Sequence, residues 1–243
     1  MTALAAVFGA GLAAGFLNVV AGGGSLITLP VLLFLGLPAP LANGTNRLAI
    51  LVQNVVAAGT FRHEGVPDLR GAVPAALLTI PGAIAGALLA VRVSDALFRT
   101  ILAVVLVLSV FALFAPSPRA RADGTGARLG AGAALAFLGI GFYGGFIQAG
   151  VGILIMSAFR ALLGVDLVRV NAWKVIVVLV FSVPALVVFL ATANVDWATG
   201  GVLAAGTAGG AVLGARLSVR RGERAIRIVV AAALMLMAAR LVL

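Results

Sequence analysis

The 243-residue sequence has no cysteine, a single histidine and only seven acidic residues. The absence of cysteine excludes disulfides, thiolate nucleophiles and cysteine-based metal sites. The sole histidine, His63, lies in a predicted loop, and the acids fall at or near the ends of apolar segments. A catalytic triad, a paired-carboxylate site or a metal cluster cannot be assembled inside those segments. We therefore predict a protein that is not an enzyme and that needs no metal or cofactor.

Charge of either sign is scarce, because 10% of the residues are charged and 63% are hydrophobic. A soluble core of this length could not bury so many apolar side chains, so the excess must face lipid. Apolar stretches of roughly 17 to 25 residues, enough to cross a bilayer, lie at 3–21, 43–60, 71–91, 97–115, 129–147, 172–193, 197–217 and 225–243. Two shorter apolar pieces lie at 25–37 and 151–163. Since these runs lack the alternation of barrel strands, they predict an all-α, multi-pass membrane protein with eight long and two short helices.

The formal net charge of +10 does not predict a nucleic-acid partner. The arginines stand singly or in small groups between apolar segments, which is the pattern of basic residues that sets membrane topology. The predicted partners are the lipid bilayer and a small solute, and a homo-oligomer stays open.

The second half of the chain repeats the first. At a shift of 126 residues, Gly15-Phe16 matches Gly141-Phe142 and Gly24 matches Gly150. At a shift of 128, the matched pairs are Gly36 and Gly164, Asn43 and Asn171, Asp68 and Asp196, Gly82 and Gly210, Gly86 and Gly214, Arg92 and Arg220, and Arg99 and Arg227. Residues 1–115 and 129–243 are therefore predicted to be two homologous membrane repeats, joined by a solvated loop at 116–128.

The distribution of basic residues favours inverted repeats. Each half has a glycine-broken first segment, and three full spans follow it. If the short piece recrosses the membrane, 13 basic residues lie on one side and 4 on the other, namely Arg47, Arg92, Arg99 and Arg240. If it does not, the split is 11 to 6. The sharper asymmetry predicts inverted repeats, with the linker 116–128 and a loop around Arg220 in the cytoplasm.

The two broken segments are the candidate substrate site, because broken helices at matching places in two repeats mark the centre of a transporter. Gly22, Gly23 and Gly24 interrupt the first segment, and Ser25 is placed to cap the short helix that follows. Free amides at such a helix start can bind an anion. In the second half, Gln148 and Gly150 occupy the matching stretch. The alternative is that these glycines only allow close helix packing, which is our interpretation of Gly82, Gly86, Gly210 and Gly214.

Further polar candidates follow each break. Asn43 and Asn171 are each placed to cap the next helix, and capping alone would explain them. Thr45, Asn46 and Lys174 would face the same interior if the short pieces fold back. Lys174 is the only lysine and lies on the edge of a strongly apolar helix, so it has a substrate or gating role or it snorkels to the interface.

The chain resembles the sulfite exporter TauE/SafE family. The resemblance is carried by Gly15-Phe16-Leu17, Ala21-Gly22-Gly23-Gly24, Pro30, Gly36-Leu37-Pro38, Ala42-Asn43-Gly44-Thr45-Asn46 and Gly65-Val66-Pro67-Asp68. It extends over both halves, although the second glycine break departs from the pattern. It implies a protein of the bacterial cytoplasmic membrane that moves small sulfur-containing anions or organosulfonates.

Together, these features predict a secondary transporter that binds sulfite, a sulfonate or a similar anion at the midplane between the repeats. The expected binding residues are Gly22, Gly23, Gly24, Ser25, Asn43, Thr45, Asn46, Gln148, Gly150, Asn171 and Lys174. An anion channel is the main alternative, and a membrane-embedded enzyme or assembly factor is a weaker one.

Reporter tags in the loop 116–128 and beside Asp196 should lie on opposite faces of the membrane, because the inverted arrangement gives the sharper split of basic residues. The measurement is the accessibility of each tag to a membrane-impermeant reagent in intact cells. Both tags on one face would contradict inverted repeats.

Overall fold

The computed structural model describes the backbone of residues 2–114, 130–163 and 167–242, and the side chains of 3–109, 130–161 and 168–220. Within these ranges all regular structure is helical, which confirms the all-α class. The helices are α1 (Thr2–Ala21), α2 (Ser25–Phe34), α3 (Ala39–His63), α4 (Val73–Ala90), α5 (Asp95–Phe114), α6 (Ala131–Phe146), α7 (Val151–Leu163), α8 (Leu167–Ala191) and α9 (Trp197–Val242). The linker 116–128 and the pairing of Gly36 with Gly164 lie outside the described residues.

Among the described residues, four helical stretches are long and apolar enough to cross a membrane: Ala3–Ala21, Leu69–Ala90, Val168–Ala191 and Trp197–Arg220. Their outer faces expose large apolar side chains such as Phe8, Leu77, Val187 and Leu213. Water would not stabilise such surfaces, whereas lipid does. The protein is therefore a multi-pass membrane protein, and the predicted count of eight long and two short helices stays a prediction.

The last two predicted spans are joined in one helix. The sequence predicts a loop around Arg220, but this prediction is wrong, because α9 continues from Trp197 to Val242 without interruption. Residues 218–224 contain no proline and a single glycine, so nothing in this stretch stops a helix. Arg216 and Arg220 of α9 form ion pairs with Glu64, with N–O distances of 3.6 and 3.4 Å, and so tie α9 to the end of α3.

Helix α3 begins four residues before Asn43, at Ala39, so the prediction that Asn43 caps this helix is wrong. The Asp95 carboxylate at the start of α5 accepts a hydrogen bond from the Ala39 amide at 2.5 Å instead. A hydrogen bond from Arg99, and after it the one from Ala39, holds the pKa of Asp95 below its usual value. The start of α3 is thus capped from a different helix.

Two helix pairs pack at very short range through glycines. Helix α1 runs parallel to α9, because Gly11 lies against Leu203 and Gly15 lies against Thr207. Helix α6 runs parallel to α4 in the same way, with Gly141 against Thr79 and Gly145 against Ala83. The four glycines interpreted as packing residues lie in these two seams, facing backbone of the partner helix: Gly82, Gly86, Gly210 and Gly214. That interpretation is confirmed.

Helices α3 and α8 lie between the two pairs and run antiparallel to each other. The Arg47 guanidinium near the start of α3 lies 4.8 Å from the Phe189 ring near the end of α8. At the other end, Phe61 of α3 shares a core cluster with Ala172 and Val175 of α8. Helix α3 runs parallel to α9, since Thr45 accepts a hydrogen bond from the Asp196 amide and Ala49 accepts one from Thr207 further along.

Helix α8 runs parallel to α4. Near the start of α8, Trp173 donates to the carbonyl of Asp68, which lies shortly before α4. Further along, Phe181 of α8 and Ala83 of α4 lie against two neighbouring glycines of α6, Gly144 and Gly145. Helices α1, α3 and α9 therefore point one way, and helices α4, α6 and α8 point the other way.

The Gly141→Ala variant should be less stable than the wild type by about 1–3 kcal/mol, because a Cβ atom there would lie 2.7 Å from the carbonyl carbon of Thr79. Gly139→Ala is the matched control on the same helix, since nothing lies within 4 Å of its Cβ position. Thermal unfolding in detergent measures both. Equal melting temperatures for the two variants would contradict the seam.

Candidate functional site

The two helix breaks meet at the centre of the described residues. Helix α1 ends at Ala21 and α2 begins at Ser25, while α6 ends at Phe146 and α7 begins at Val151. A Cβ atom at Gly22 would lie 2.5 Å from the carbonyl carbon of Gly152 in the other break. Gly22 also has a φ of 79°, which other residues rarely adopt. The break therefore requires glycine at this position for two independent reasons.

Four backbone amides at the starts of α2 and α7 have no acceptor in the described part of the chain. Gly22 N donates to Asn18 O at 2.8 Å, and Gly24 N donates to Asn18 Oδ1 at 3.3 Å. The amides of Gly23 and Ser25 have no acceptor among the residues that the structure describes. In the second break, the amides of Gly150 and Gly152 likewise have none. Both short helices thus present unpaired N–H groups and the positive end of a helix dipole.

Ser25 does not cap α2, contrary to the prediction. The N-cap residue is Gly24, and no side chain makes a capping hydrogen bond to this helix. The physical reason is that Gly24 already has right-handed helical angles, so Ser25 lies inside the first turn rather than before it.

Asn43 and Asn171 each donate a hydrogen bond to the C-terminal end of a helix other than their own. Asn43 Nδ2 donates to the carbonyl of Phe146, the last residue of α6, at 2.7 Å. Asn171 Nδ2 donates to the carbonyl of Val20, in the last turn of α1, at 3.5 Å. Asn171 lies inside α8, so the prediction that it caps its own helix is wrong. Each asparagine instead donates a hydrogen bond to a carbonyl that the helix break leaves without a backbone partner.

The Lys174 side chain is buried, and its ammonium group has three oxygen acceptors. Its Nζ donates to Asn18 O at 2.8 Å, Val19 O at 2.7 Å and Asn171 Oδ1 at 3.0 Å. The side chain is 2% exposed, so the alternative that it snorkels to the membrane surface is wrong. The ammonium stabilises the negative end of α1, directly before the first break. Its role toward a substrate stays a prediction.

Arg47 is a functional candidate that the sequence analysis missed. The topology count treats it as a basic residue at one face of the membrane, but it lies in α3 with 0% exposure. Its guanidinium donates to the carbonyls of Gly144, at 3.0 Å, and Gly145, in the last turn of α6. The missed signal was its position inside the apolar stretch 43–60, where a charged residue is costly and marks a functional site.

Other buried polar side chains near the breaks keep one group unpaired. Asn46 Oδ1 accepts a hydrogen bond from Thr28 of α2 at 2.6 Å, while its Nδ2 has no partner within the described chain. Gln148 Nε2 donates to Ser182 at 3.1 Å, and its Oε1 accepts no hydrogen bond from the described residues. Gln53 Nε2 likewise has no acceptor in the described part of the chain, and it lies two turns beyond Asn46 on the same face of α3.

The fold does not bring all of the predicted substrate-binding residues to the helix breaks. Thr45 accepts from the Asp196 amide at 2.9 Å, so it stabilises the connection between α8 and α9 rather than a break. Gln148 has a φ of 62° and stands at the position that matches Gly22 at the 126-residue shift. Neither Arg47 nor Lys174 forms an ion pair with an acidic side chain among the described residues. The centre therefore combines two buried cations with open amides, and the described residues place no balancing carboxylate on either cation.

A family model described as "Sulfite exporter TauE/SafE" matches residues 7–241. The chain belongs to this family. The resemblance expected from the motifs is thereby confirmed over nearly the whole chain, and this TauE/SafE protein is a multi-pass protein of the cell membrane.

Relatives of this TauE/SafE protein carry transporter names. It is 30% identical over 241 residues to a "Probable membrane transporter protein" of Haemophilus influenzae, covering 98% of this chain and 94% of the relative. It is 31% identical over 236 residues to "Probable membrane transporter protein YfcA" of Escherichia coli K12, covering 96% and 87%. These relatives are described as transporters and not as enzymes. No solved structure matches the chain.

Gly22→Ala should destabilise the folded protein, because alanine would be strained at a φ of 79° and would clash with Gly152. Gly23→Ala is the matched control, since its Cβ would meet only the flexible Leu26 side chain at 3.3 Å. Melting temperatures in detergent compare the two. A Gly23→Ala variant as unstable as Gly22→Ala would contradict this account of the break.

Proposed function

We propose that this protein is a secondary transporter that carries a small sulfur-containing anion, such as sulfite or a sulfonate, and binds it at the midplane between two inverted repeats. The observation that carries the proposal is the pair of buried cations, Arg47 and Lys174, beside helix starts with open amides. The family description and the transporter names of the relatives agree with it.

Paired contacts support the two repeats, with proposed boundaries at 1–115 and 129–243 and the linker 116–128 between them. The contact of Gly15 with Thr207 has a counterpart in that of Gly141 with Thr79, at shifts of 126 and 128 residues. The bond from Asn43 to Phe146 has a counterpart in that from Asn171 to Val20, at the same two shifts. The opposite directions of α1 and α6, and of α3 and α8, support an axis in the membrane plane.

The proposed anion site is centred on the start of α2. The Gly23 and Ser25 amides supply two backbone donors, and helix starts of this kind bind anions. Thr28 lies one turn beyond Ser25 and bonds to Asn46, so the unpaired Asn46 Nδ2 lies close to the same end of the helix. Gly150 and Gln148 would contribute from the second break, at the matching helix start.

The local charge favours an anion. Each helix C-terminus carries a partial charge of about −0.5, which offsets only part of the charge of the lysine or arginine that caps it. No acidic side chain of the described residues completes the neutralisation. Since a buried net charge is costly in a medium of low polarity, an anion bound between the two cations would lower that cost. Lys174 would thus attract the substrate through its field, without a direct contact.

The test is uptake into proteoliposomes of sulfite and methanesulfonate, with chloride as the comparison anion. Saturable uptake of the sulfur anions, with little chloride flux, is the expected result. Unsaturable flux of all three anions would favour a channel and contradict a carrier.

Two substitutions at one position test the backbone donor. Ser25→Pro should lower uptake about tenfold or more, because proline removes the open N–H while fitting the first turn of a helix. The preceding Gly24 has right-handed helical angles, which a following proline disfavours, but it lacks the Cβ that would add to the clash. Ser25→Ala, which keeps the amide, should retain most of the uptake.

Both variants are first compared with the wild type by size-exclusion chromatography and melting temperature. Normal uptake by a folded Ser25→Pro variant would contradict the proposed anion site.

A further inference from the structure

The two buried cations occupy equivalent places in the two halves of the chain. Arg47 of α3 donates to carbonyls in the last turn of α6, and Lys174 of α8 donates to carbonyls in the last turn of α1. At the 128-residue shift, Lys174 matches Asn46, the neighbour of Arg47. The cations therefore lie one position apart on matching helix turns, which explains why a residue-by-residue comparison of the halves does not pair them.

An asparagine accompanies each cation. Asn43 lies one turn before Arg47 and donates to Phe146, while Asn171 lies one turn before Lys174 and donates to Val20. Each broken helix is thus held at its end by one amide and one cation, and both come from the other half of the chain.

The need for these contacts follows from the surroundings. The last carbonyls of a helix have no intrahelical partner, and inside a membrane water does not replace one. Hydrogen bonds from a charged donor are stronger than neutral ones, and a cation also stabilises the negative end of the helix dipole. The Lys174 ammonium has three hydrogens and three oxygen acceptors, so it is saturated by the protein.

We propose that Arg47 with Asn43, and Lys174 with Asn171, form two crossed latches that position the helix breaks. Arg47 and Lys174 are positioning residues, and each fixes the break in the opposite half of the chain. The proposal rests on the proposed function only where it treats the breaks as the substrate site, since the latches themselves stand on the contacts.

Because each cation contacts the break in the opposite half of the chain, its removal should affect that break and not the one in its own half. Removing Lys174, in the second half, should loosen the first break, between α1 and α2. Removing Arg47, in the first half, should loosen the second break, between α6 and α7. A residue that only stabilised the fold in general would loosen both breaks alike.

Single cysteines report on each break, because the chain has no cysteine of its own. Ser25 and Val151 are matching first residues of α2 and α7, are 2% and 3% exposed, and are close in size to cysteine. The experiment measures the rate at which a membrane-permeant maleimide labels Ser25→Cys or Val151→Cys, in the full chain, without substrate.

Lys174→Met should raise the labelling rate of Ser25→Cys about tenfold or more, and leave that of Val151→Cys little changed. Arg47→Met should give the reverse. The charge-conserving variants Lys174→Arg and Arg47→Lys are the controls, and both should label slowly at both positions.

The milder variants Asn171→Ala and Asn43→Ala make the same crossed prediction and serve if a methionine variant does not fold. Equal acceleration at both cysteines, acceleration in the same half as the substitution, or no acceleration would overturn the latches. Because no substrate is present, failure of the latches is separate from failure of the proposed transport, which the uptake assay decides.

Discussion

A helix that is broken inside a membrane exposes backbone carbonyls at one end of the break and backbone amides at the other, and this constraint organises the centre of the protein. In this protein the carbonyl ends receive hydrogen bonds from side chains, whereas several of the amide ends do not. Carbonyls at the ends of α1 and α6 receive hydrogen bonds from Asn171, Lys174, Asn43 and Arg47. Four amides at the starts of α2 and α7 have no acceptor among the described residues, namely those of Gly23, Ser25, Gly150 and Gly152. The asymmetry leaves unsatisfied donors in a positively charged centre, which is the environment that suits an anion.

The long helices have two different roles: two close-packed pairs form a scaffold, and the two helices between them carry polar side chains. The glycine seams bring α1 onto α9 and α4 onto α6 at backbone distance, and such packing gives pairs that resist deformation. Helices α3 and α8 carry most of the buried polar side chains, including Asn46, Gln53 and Ser182. Polar groups that must be placed accurately thus lie on long helices held between two close-packed pairs.

Features with a local cause could be predicted from the sequence. The apolar runs indicated helices, consecutive glycines indicated the first break, and glycines four residues apart indicated the seams. Features that depend on the partner of a residue could not. Asn43 is a good capping residue by type, but only the fold decides that it caps α6 rather than α3. Arg47 lies close to the predicted start of a span at residue 43 and therefore counts as a topology-setting basic residue, and only the fold shows that it is buried inside α3. The charged residues around Arg220 predict the end of a helix, whereas they end only the apolar stretch of α9, and the helix continues through them.

The crossed contacts also have a consequence for how the chain is made. Lys174 lies 156 residues after the Asn18 carbonyl that it holds, so the end of α1 is synthesised long before its partner exists. Gly144, by contrast, emerges 97 residues after Arg47, when the arginine is already in place. Until the second half has been made, the end of α1 lacks the contacts of Lys174, and Arg47 lacks its carbonyl partners in α6. Neither half therefore completes these hydrogen bonds by itself, so the two halves depend on each other for a finished centre.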